Sequence, residues 1–422
     1  MTSEAFVYLM LPGETQFVTA GRLALDIDRL GNPFGRFVYG RRYMARADAV
    51  PLDPLELPMA ERTFETRMLK GLFGVLRDAS PDYWGRRIIE KRAGVTQLDE
   101  IDYLLNSADD RAGALGFGLN VDPPAPLRAF NRTVDLTRLQ QLADAVIADE
   151  AIPARDATDA GQVQDLLRLG TSMGGARPKA VVDDEHALWV AKFNRTDDSW
   201  NQARVEHAML TLARECGIDS AHSRLSRVAG RDVLLVKRFD REHSAAGYRR
   251  ARMLSALTLL RAGDSLTDRD RWSYPMLADE LRRLSASPRE DAAELFRRMT
   301  FNSLVSNTDD HPRNHAFIAP QSEWRLSPAY DLTPSPLVSD ERRDLAMIIG
   351  DQGRYANVAN LLSQCARFLL TREQADKIIK DMKATVRARW YELARGVGVS
   401  ENDCEKIGRA FVYPGLELDL RP

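Results

Sequence analysis

Lysine is scarce in this chain, with nine lysines against fifty arginines in 422 residues. A lysine kept at the end of a strand is therefore a marked position. Three cysteines, Cys216, Cys365 and Cys404, lie far apart with neither disulfide-framework nor zinc spacing, which excludes a disulfide-held scaffold and fits a reducing compartment. The six histidines form no metal pattern. No run approaches eighteen apolar residues, and residues 1–21 hold no basic stretch followed by a signal core, so the expectation is a cytoplasmic chain with no membrane segment. A formal charge of −2 gives no general nucleic-acid signal, although the arginines can still form a local patch. No G-x-S-x-G elbow is present, which sets a Ser/His hydrolase aside.

What is present is a spacing. Asp309 is followed five residues later by Asn314, and Asp331 comes after one expected hairpin, 315–318 with 324–326. In protein kinases an Asp with an Asn five residues on is the catalytic loop, where the Asp accepts the substrate hydroxyl proton, the Asn holds one Mg²⁺ and a later Asp holds the other. The hairpin folds Asp331 back toward Asn314, so hard oxygen ligands converge as Mg²⁺ requires.

Upstream lies a matching set in kinase order. Residues 171–179 form a small-residue loop in which Ser172, Gly174 and Gly175 let backbone N–H groups approach a phosphate and Lys179 adds positive charge. In the strand 187–193, period-two alternation puts Leu188, Val190 and Lys192 on one face. Ser199 as N-cap and Gln202 at N3 predict a helix that Gly217 ends, and on it Glu206 shares a face with Met209, Leu210 and Ala213. A carboxylate buried there needs a cation, and Lys192 ends the preceding strand. The hairpin 223–228 with 232–239 completes a small sheet, and at its end Leu235, Val236 and Lys237 can offer backbone groups to adenine.

These residues resemble the HipA-like serine/threonine kinases, the toxin halves of bacterial HipBA-type toxin–antitoxin pairs. The likeness runs through 172–179, 189–193, Arg238-Phe239-Asp240-Arg241, 307–314, 327–332 and, near the front, 72–87. It implies Asp309 as catalytic base, Asn314 and Asp331 as Mg²⁺ ligands, Lys192 on the ATP phosphates with Lys179 close to them, and Ser172 as an autophosphorylated serine. It also implies a protein substrate such as an aminoacyl-tRNA synthetase, and a HipB-type helix-turn-helix antitoxin that reads operator DNA. Two departures stand out: Arg177-Pro178 in the loop, and Asp310, which adds a carboxylate expected beside the metal site. A small-molecule kinase and an inactive kinase-fold regulatory partner are the alternatives.

At 422 residues the chain exceeds one hydrophobic core. The expected class is α+β: a bilobal protein-kinase-like fold with an N-terminal β-containing domain over 1–125, a small sheet-rich lobe over 126–240 and a helical lobe over 241–422. Expected elements of the first are strands at 4–11 and 36–43 and helices near 65–76 and 83–92. A helix over 135–150 and a linker over 151–160 open the second, and helices over 252–260, 275–284, 291–302, 357–370, 372–393 and 401–411 fill the third.

Overall fold

A computed structural model describes residues 3–127, 130–148, 177–336 and 339–418. The loop residues Ser172, Gly174 and Gly175, and the expected linker, lie outside these. Five antiparallel strands build the front domain in the order β4-β3-β2-β1-β5: β1 (Ser3–Met10), β2 (Phe17–Ile27), β3 (Pro33–Tyr39), β4 (Phe64–Thr66) and β5 (Leu115–Gly118). Alternation along them buries Val7, Leu9, Leu23 and Phe37. The strand expected to run to Tyr43 stops at Tyr39, and α1 (Arg41–Met44) turns Tyr43 back to stack on Tyr39, ring centroids 5.9 Å apart.

The helix expected over 65–76 does not form. Phe64 pairs with Phe37 in the sheet, and the chain then crosses β3 so closely that a Cβ on Gly35 would stand 1.8 Å from the Gly71 carbonyl oxygen. Gly71 makes this approach at φ +88°, and of the expected stretch only a 3₁₀ turn, Met68–Gly71, and the start of α2 (Gly74–Asp78) are helical. Next comes α3 (Tyr83–Ala93), capped by Asp82 and ended by Gly94 in the left-handed region, and then α4 (Glu100–Asn106).

The small lobe is a sheet in the order β6-β7-β8-β10-β9, formed by β6 (Asn131–Arg132), β7 (Lys179–Asp184), β8 (Ala187–Phe193), β9 (Ser223–Val228) and β10 (Arg231–Lys237). Only β6 and β7 run parallel. Ala229 and Gly230 turn the last hairpin with positive φ at both positions. One face packs Val182, Ala191, Phe193, Val233 and Leu235 against α5 (Leu136–Ile147) and against Trp84 and Ile88 of α3. Leu234 and Val236, of opposite parity, turn to the other face, where α6 (Gln202–Glu215) buries Val205, Met209 and Leu210. Its cap is Asn201, not Ser199. The Ser199 carbonyl accepts from Lys406, and the Asn201 N–H donates to Asp403, which holds these residues outside the helix.

Two strands, β11 (Arg241–Ser244) and β12 (Gly247–Arg250), lead out of this sheet. The helix expected over 252–260 begins instead as β13 (Arg252–Ser255), because these residues pair with β14 (Ala316–Ala319), itself joined to β15 (Arg325–Leu326). Only α7 (Ala256–Leu260) is helical there. The core of the large lobe is α8 (Tyr274–Leu284), α9 (Pro288–Leu304), α10 (Val358–Ser363), α11 (Arg372–Gly396) and α12 (Glu401–Gly408). The helix expected over 357–370 breaks after Ser363 into a 3₁₀ turn, Cys365–Phe368.

Buried charge joins the front domain to the lobes. Asp240 accepts from Arg238 at 2.8 Å, from Arg241 at 2.7 Å and from the Gly113 N–H at 2.9 Å, while both guanidinium groups donate to carbonyls of residues 110–113. No described helix is long and apolar enough to cross a membrane.

Candidate active site

Lys192 is the last residue but one of β8, within reach of α6. Its ammonium donates to Glu206 Oε1 and to Asp331 Oδ1, each at 2.6 Å, so the lysine bridges a small-lobe helix and a large-lobe loop. Burial opposes the charged ammonium, but Asp331 and Glu206 outweigh it and hold its pKa above the ordinary value. In return, and against burial, Lys192 holds Asp331 below the usual carboxylate range. Glu206 is moved the other way, upward, because burial prevails over Lys192.

Backbone tethers fix Asp331. The Ala221 N–H donates to Ala329 O at 2.8 Å and the Ala329 N–H to Asp219 O at 2.7 Å, tying the segment to the turn that follows α6. Tyr330 donates to Arg313 O at 2.7 Å, so the same segment is also tied to the loop that carries Asp309 and Asn314. Asp331 itself sits at φ 60°, a left-handed position that costs a non-glycine residue about 1–3 kcal/mol and clusters at functional sites. On the loop, Asn314 Nδ2 donates to Asp309 O at 3.3 Å, which leaves its Oδ1 as the free acceptor of the amide. Asp309 is exposed. Lost solvation, with Asp331 and Asp310 nearby, pushes its pKa up against the pull of His311.

Asp310 corrects one expectation. Instead of adding a carboxylate beside the metal site, it points into the large lobe, where it accepts from Tyr274 and faces His315 Nε2 at 2.9 Å. Asn302 donates to the Tyr274 hydroxyl at 3.1 Å and closes the network under the loop. Asp310 is an anchor.

Lys179, Lys192, Asn314 and Asp331 line one open cleft between the lobes. Its apolar wall includes Val190, Val236 and Phe239, and the end of β10 adds Lys237 and Arg238. Leu235 is not on this wall. Its side chain belongs to the apolar cluster behind it, the Lys237 N–H is already donated to His222 O, and the Arg238 N–H to Leu188 O. Asp309 stands outside the lining, at the exposed end of the loop. The donor set fits a magnesium nucleotide: an amide oxygen and a carboxylate for a hard cation, lysine ammonium groups for phosphate, and an apolar slot for a base.

The part that the front domain plays at the cleft escaped the sequence reading. Asp78 and Ala112 of the front domain also line the cleft, and Asp78 accepts from the Ser255 N–H and hydroxyl at 2.7 and 2.6 Å and from the Thr258 hydroxyl at 2.8 Å. Asp82 pairs with Lys179 at 2.6 Å. The only signal available was the Leu72–Arg87 resemblance, which gave no roles.

The HipA-like C-terminal domain model matches residues 171–390, and the HipA N-terminal domain model matches residues 16–118. Among solved structures the chain is similar to HipA in a Shewanella oneidensis MR-1 toxin–antitoxin complex of HipA, HipB and operator DNA, with a TM-score of 0.67, 16% identity, and coverage of 96% of this chain and 94% of that one. That likeness shows a shared fold. A Sinorhizobium fredii protein named as a candidate kinase, Y4mE, is 27% identical over 74% of this chain and 75% of its own length. A Haemophilus influenzae protein, also named as a candidate kinase, is 26% identical over 40% of this chain and 54% of its own. With a kinase-like fold and a family model spanning more than half of its residues, the chain belongs to the HipA family.

Proposed function

We propose that this chain is an ATP- and Mg²⁺-dependent protein serine/threonine kinase that acts as the toxin of a HipBA-type pair. The observation that carries the reading is the Lys192 ammonium held between Glu206 and Asp331 at 2.6 Å each, in a cleft that also contains Asn314. Lys192 would hold the triphosphate, and Asn314 Oδ1 with Asp331 would hold Mg²⁺. The bound ion supplies charge neutralisation at the transferring phosphoryl group. Asp309 orients the acceptor hydroxyl and takes its proton.

The substrate is a protein hydroxyl, with an aminoacyl-tRNA synthetase as the class that the family resemblance brings. A HipB-type helix-turn-helix antitoxin is the partner, and it would make the main contacts to operator DNA. Ser172 is the candidate site of self-inactivating autophosphorylation, a role that the family resemblance brings; a phosphate there adds about −1.5 to −2 charges. Purified protein incubated with labelled ATP, Mg²⁺ and cell lysate should label discrete proteins, and mass spectrometry should find phosphate on Ser172. The Asp309→Asn protein should give neither. Label in metabolites alone would favour a small-molecule kinase, and no ATP turnover would favour a regulatory partner.

A further inference from the structure

A second open groove lies beside the nucleotide cleft, and Arg313 lines both. One wall comes from the front domain, through Arg77, Tyr83 and Arg86, and the other from the large lobe, through Asp264, His311 and Arg313. The large-lobe wall begins just past Asp309: the His311 N–H donates to Asp309 O at 2.9 Å, and the Arg313 N–H to His311 Nδ1 at 3.1 Å. Consecutive Cα atoms are about 3.8 Å apart, so a polypeptide whose hydroxyl reaches Asp309 can lay a side chain in this groove within about three residues. Positive charge is in surplus there. Arg86 is paired with Glu100 at 2.9 and 2.5 Å, and Asp82, on the same side, is bound to Lys179 and the Gly85 N–H. Among the described residues Arg77 and Arg313 have one carboxylate between them, Asp264, which accepts from Arg77 Nη2 at 3.1 Å and from Arg313 Nε and Nη2 at 2.9 and 2.6 Å. Asp78, next in sequence to Arg77, turns instead to Ser255 and Thr258. Burial, with Arg313 and Arg86 nearby, pushes the Arg77 pKa down to about 10 against the pull of Asp264. Among the described residues Arg77 Nη1 has no hydrogen-bond partner although it is buried. A donor left unmet in this way costs about 1–3 kcal/mol.

We propose that this groove is the acceptor-side subsite of the kinase, in which Arg77 and Arg313 recognise an aspartate or glutamate of the protein substrate within about three residues of the hydroxyl to be phosphorylated. The inference rests on the phosphoryl-transfer reading above and names the kind of sequence that this reading leaves open. A guanidinium fork meets the two oxygens of a carboxylate in parallel, and Asp264 shows that a carboxylate fits between these two forks. With 40% of its side chain exposed, Asp264 stays solvated when the arginines turn to the incoming acid. Tyr83, 69% exposed at the start of α3, offers a flat apolar face to the peptide beside that acid. The front domain thereby takes part in choosing the substrate.

The test incubates the full chain with MgATP and cell lysate and maps the phosphorylated sites by mass spectrometry, with Asp309→Asn as the blank. Sites made by the wild type should carry Asp or Glu in that window several-fold more often than other serines and threonines of the same proteins. Synthetic peptides copied from one such site, with the acidic residue kept or replaced by its amide, should differ about 10- to 100-fold in kcat/KM, mainly through KM. Arg77→Gln should bring that ratio close to one, whereas general damage to the enzyme would lower both rates and leave the ratio alone. Asp264→Asn frees the two guanidinium groups and should raise the ratio about 2- to 10-fold, which keeps the test decisive if Arg77→Gln does not fold. Wild-type sites without acidic enrichment, or an unchanged ratio in either folded variant, overturn the assignment of the groove and leave the kinase standing. No wild-type site above the blank overturns the phosphoryl-transfer reading and the groove with it.

Discussion

At the scale of single residues, the roles proposed for Asp309 and Asp331 can be tested by variants that keep shape and lose charge. Asp309→Asn and Asp331→Asn keep size and lose charge, so both should fold and both should lose phosphoryl transfer, by about 10²–10⁴ for a missing general base. They should part in nucleotide binding. Asp331→Asn should weaken Mg²⁺-dependent affinity, whereas Asp309→Asn should largely keep it, and equilibrium binding of MgADP beside a turnover assay distinguishes them. Full activity in either folded variant would remove the assigned site. Asp53 gives a residue-scale effect on stability. It is fully buried in the front domain, and burial pushes its carboxyl up to about 7. The folded state thus holds a proton that the unfolded chain releases near pH 4. Its contribution to stability is complete below that value and is lost as pH rises through about 7. Denaturant melts at pH 5 and pH 8 should show Asp53→Asn recovering about 2–4 kcal/mol at the higher pH relative to wild type. Parallel pH profiles for the two proteins would show that Asp53 stays ionised when folded.

At the scale of elements, the loop that carries Asp309 and Asn314 is held from below. Asp310→Ala takes the carboxylate acceptor from the Tyr274 hydroxyl proton and the partner from His315 Nε2 in the interior, and should cost about 2–4 kcal/mol in a denaturant melt. The Mg²⁺ concentration that half-activates the surviving folded enzyme should not move, whereas a lost metal ligand would shift it. The sequence could not tell which way Asp310 points, because adjacent aspartates in a turn look alike until the chain around them is packed. Local signals did locate what short range decides: the Ala229-Gly230 hairpin, α3 between Asp82 and Gly94, and the fourteen-residue step from Lys192 to Glu206. They failed where a distant strand overrode local preference. Glu65-Thr66 and Arg252–Ser255 read as helix in isolation, yet each finds a partner strand far away in sequence. The contributions of Asp78 and Asp82 to the cleft were hidden for the same reason, being set by contacts about a hundred or more residues apart.

At the scale of the whole molecule, the front domain is fastened by ionised groups rather than by apolar area alone. Burial would raise the Asp240 carboxyl, but Arg238 and Arg241 hold it far below the usual range. Asp240→Asn leaves two buried guanidinium groups with one fewer counter-charge, and should cost about 3–5 kcal/mol. Limited proteolysis should then cut the connection around residues 119–127 well before the lobes unfold. Wild-type resistance in that stretch would mean that apolar packing alone holds the domain.

The presence of Ala112 in the wall of the cleft has a pharmacological side. An inhibitor shaped only for a hinge, a lysine and a metal would be shared by many kinases, because those groups come from the two lobes. A compound that reaches past them to touch Ala112 would contact a surface supplied by the front domain. Replacing Ala112 with leucine should then abolish inhibition while MgADP still binds, and a compound equally potent on both proteins would not be using that wall. Selectivity would come from a part of the chain that performs no chemistry.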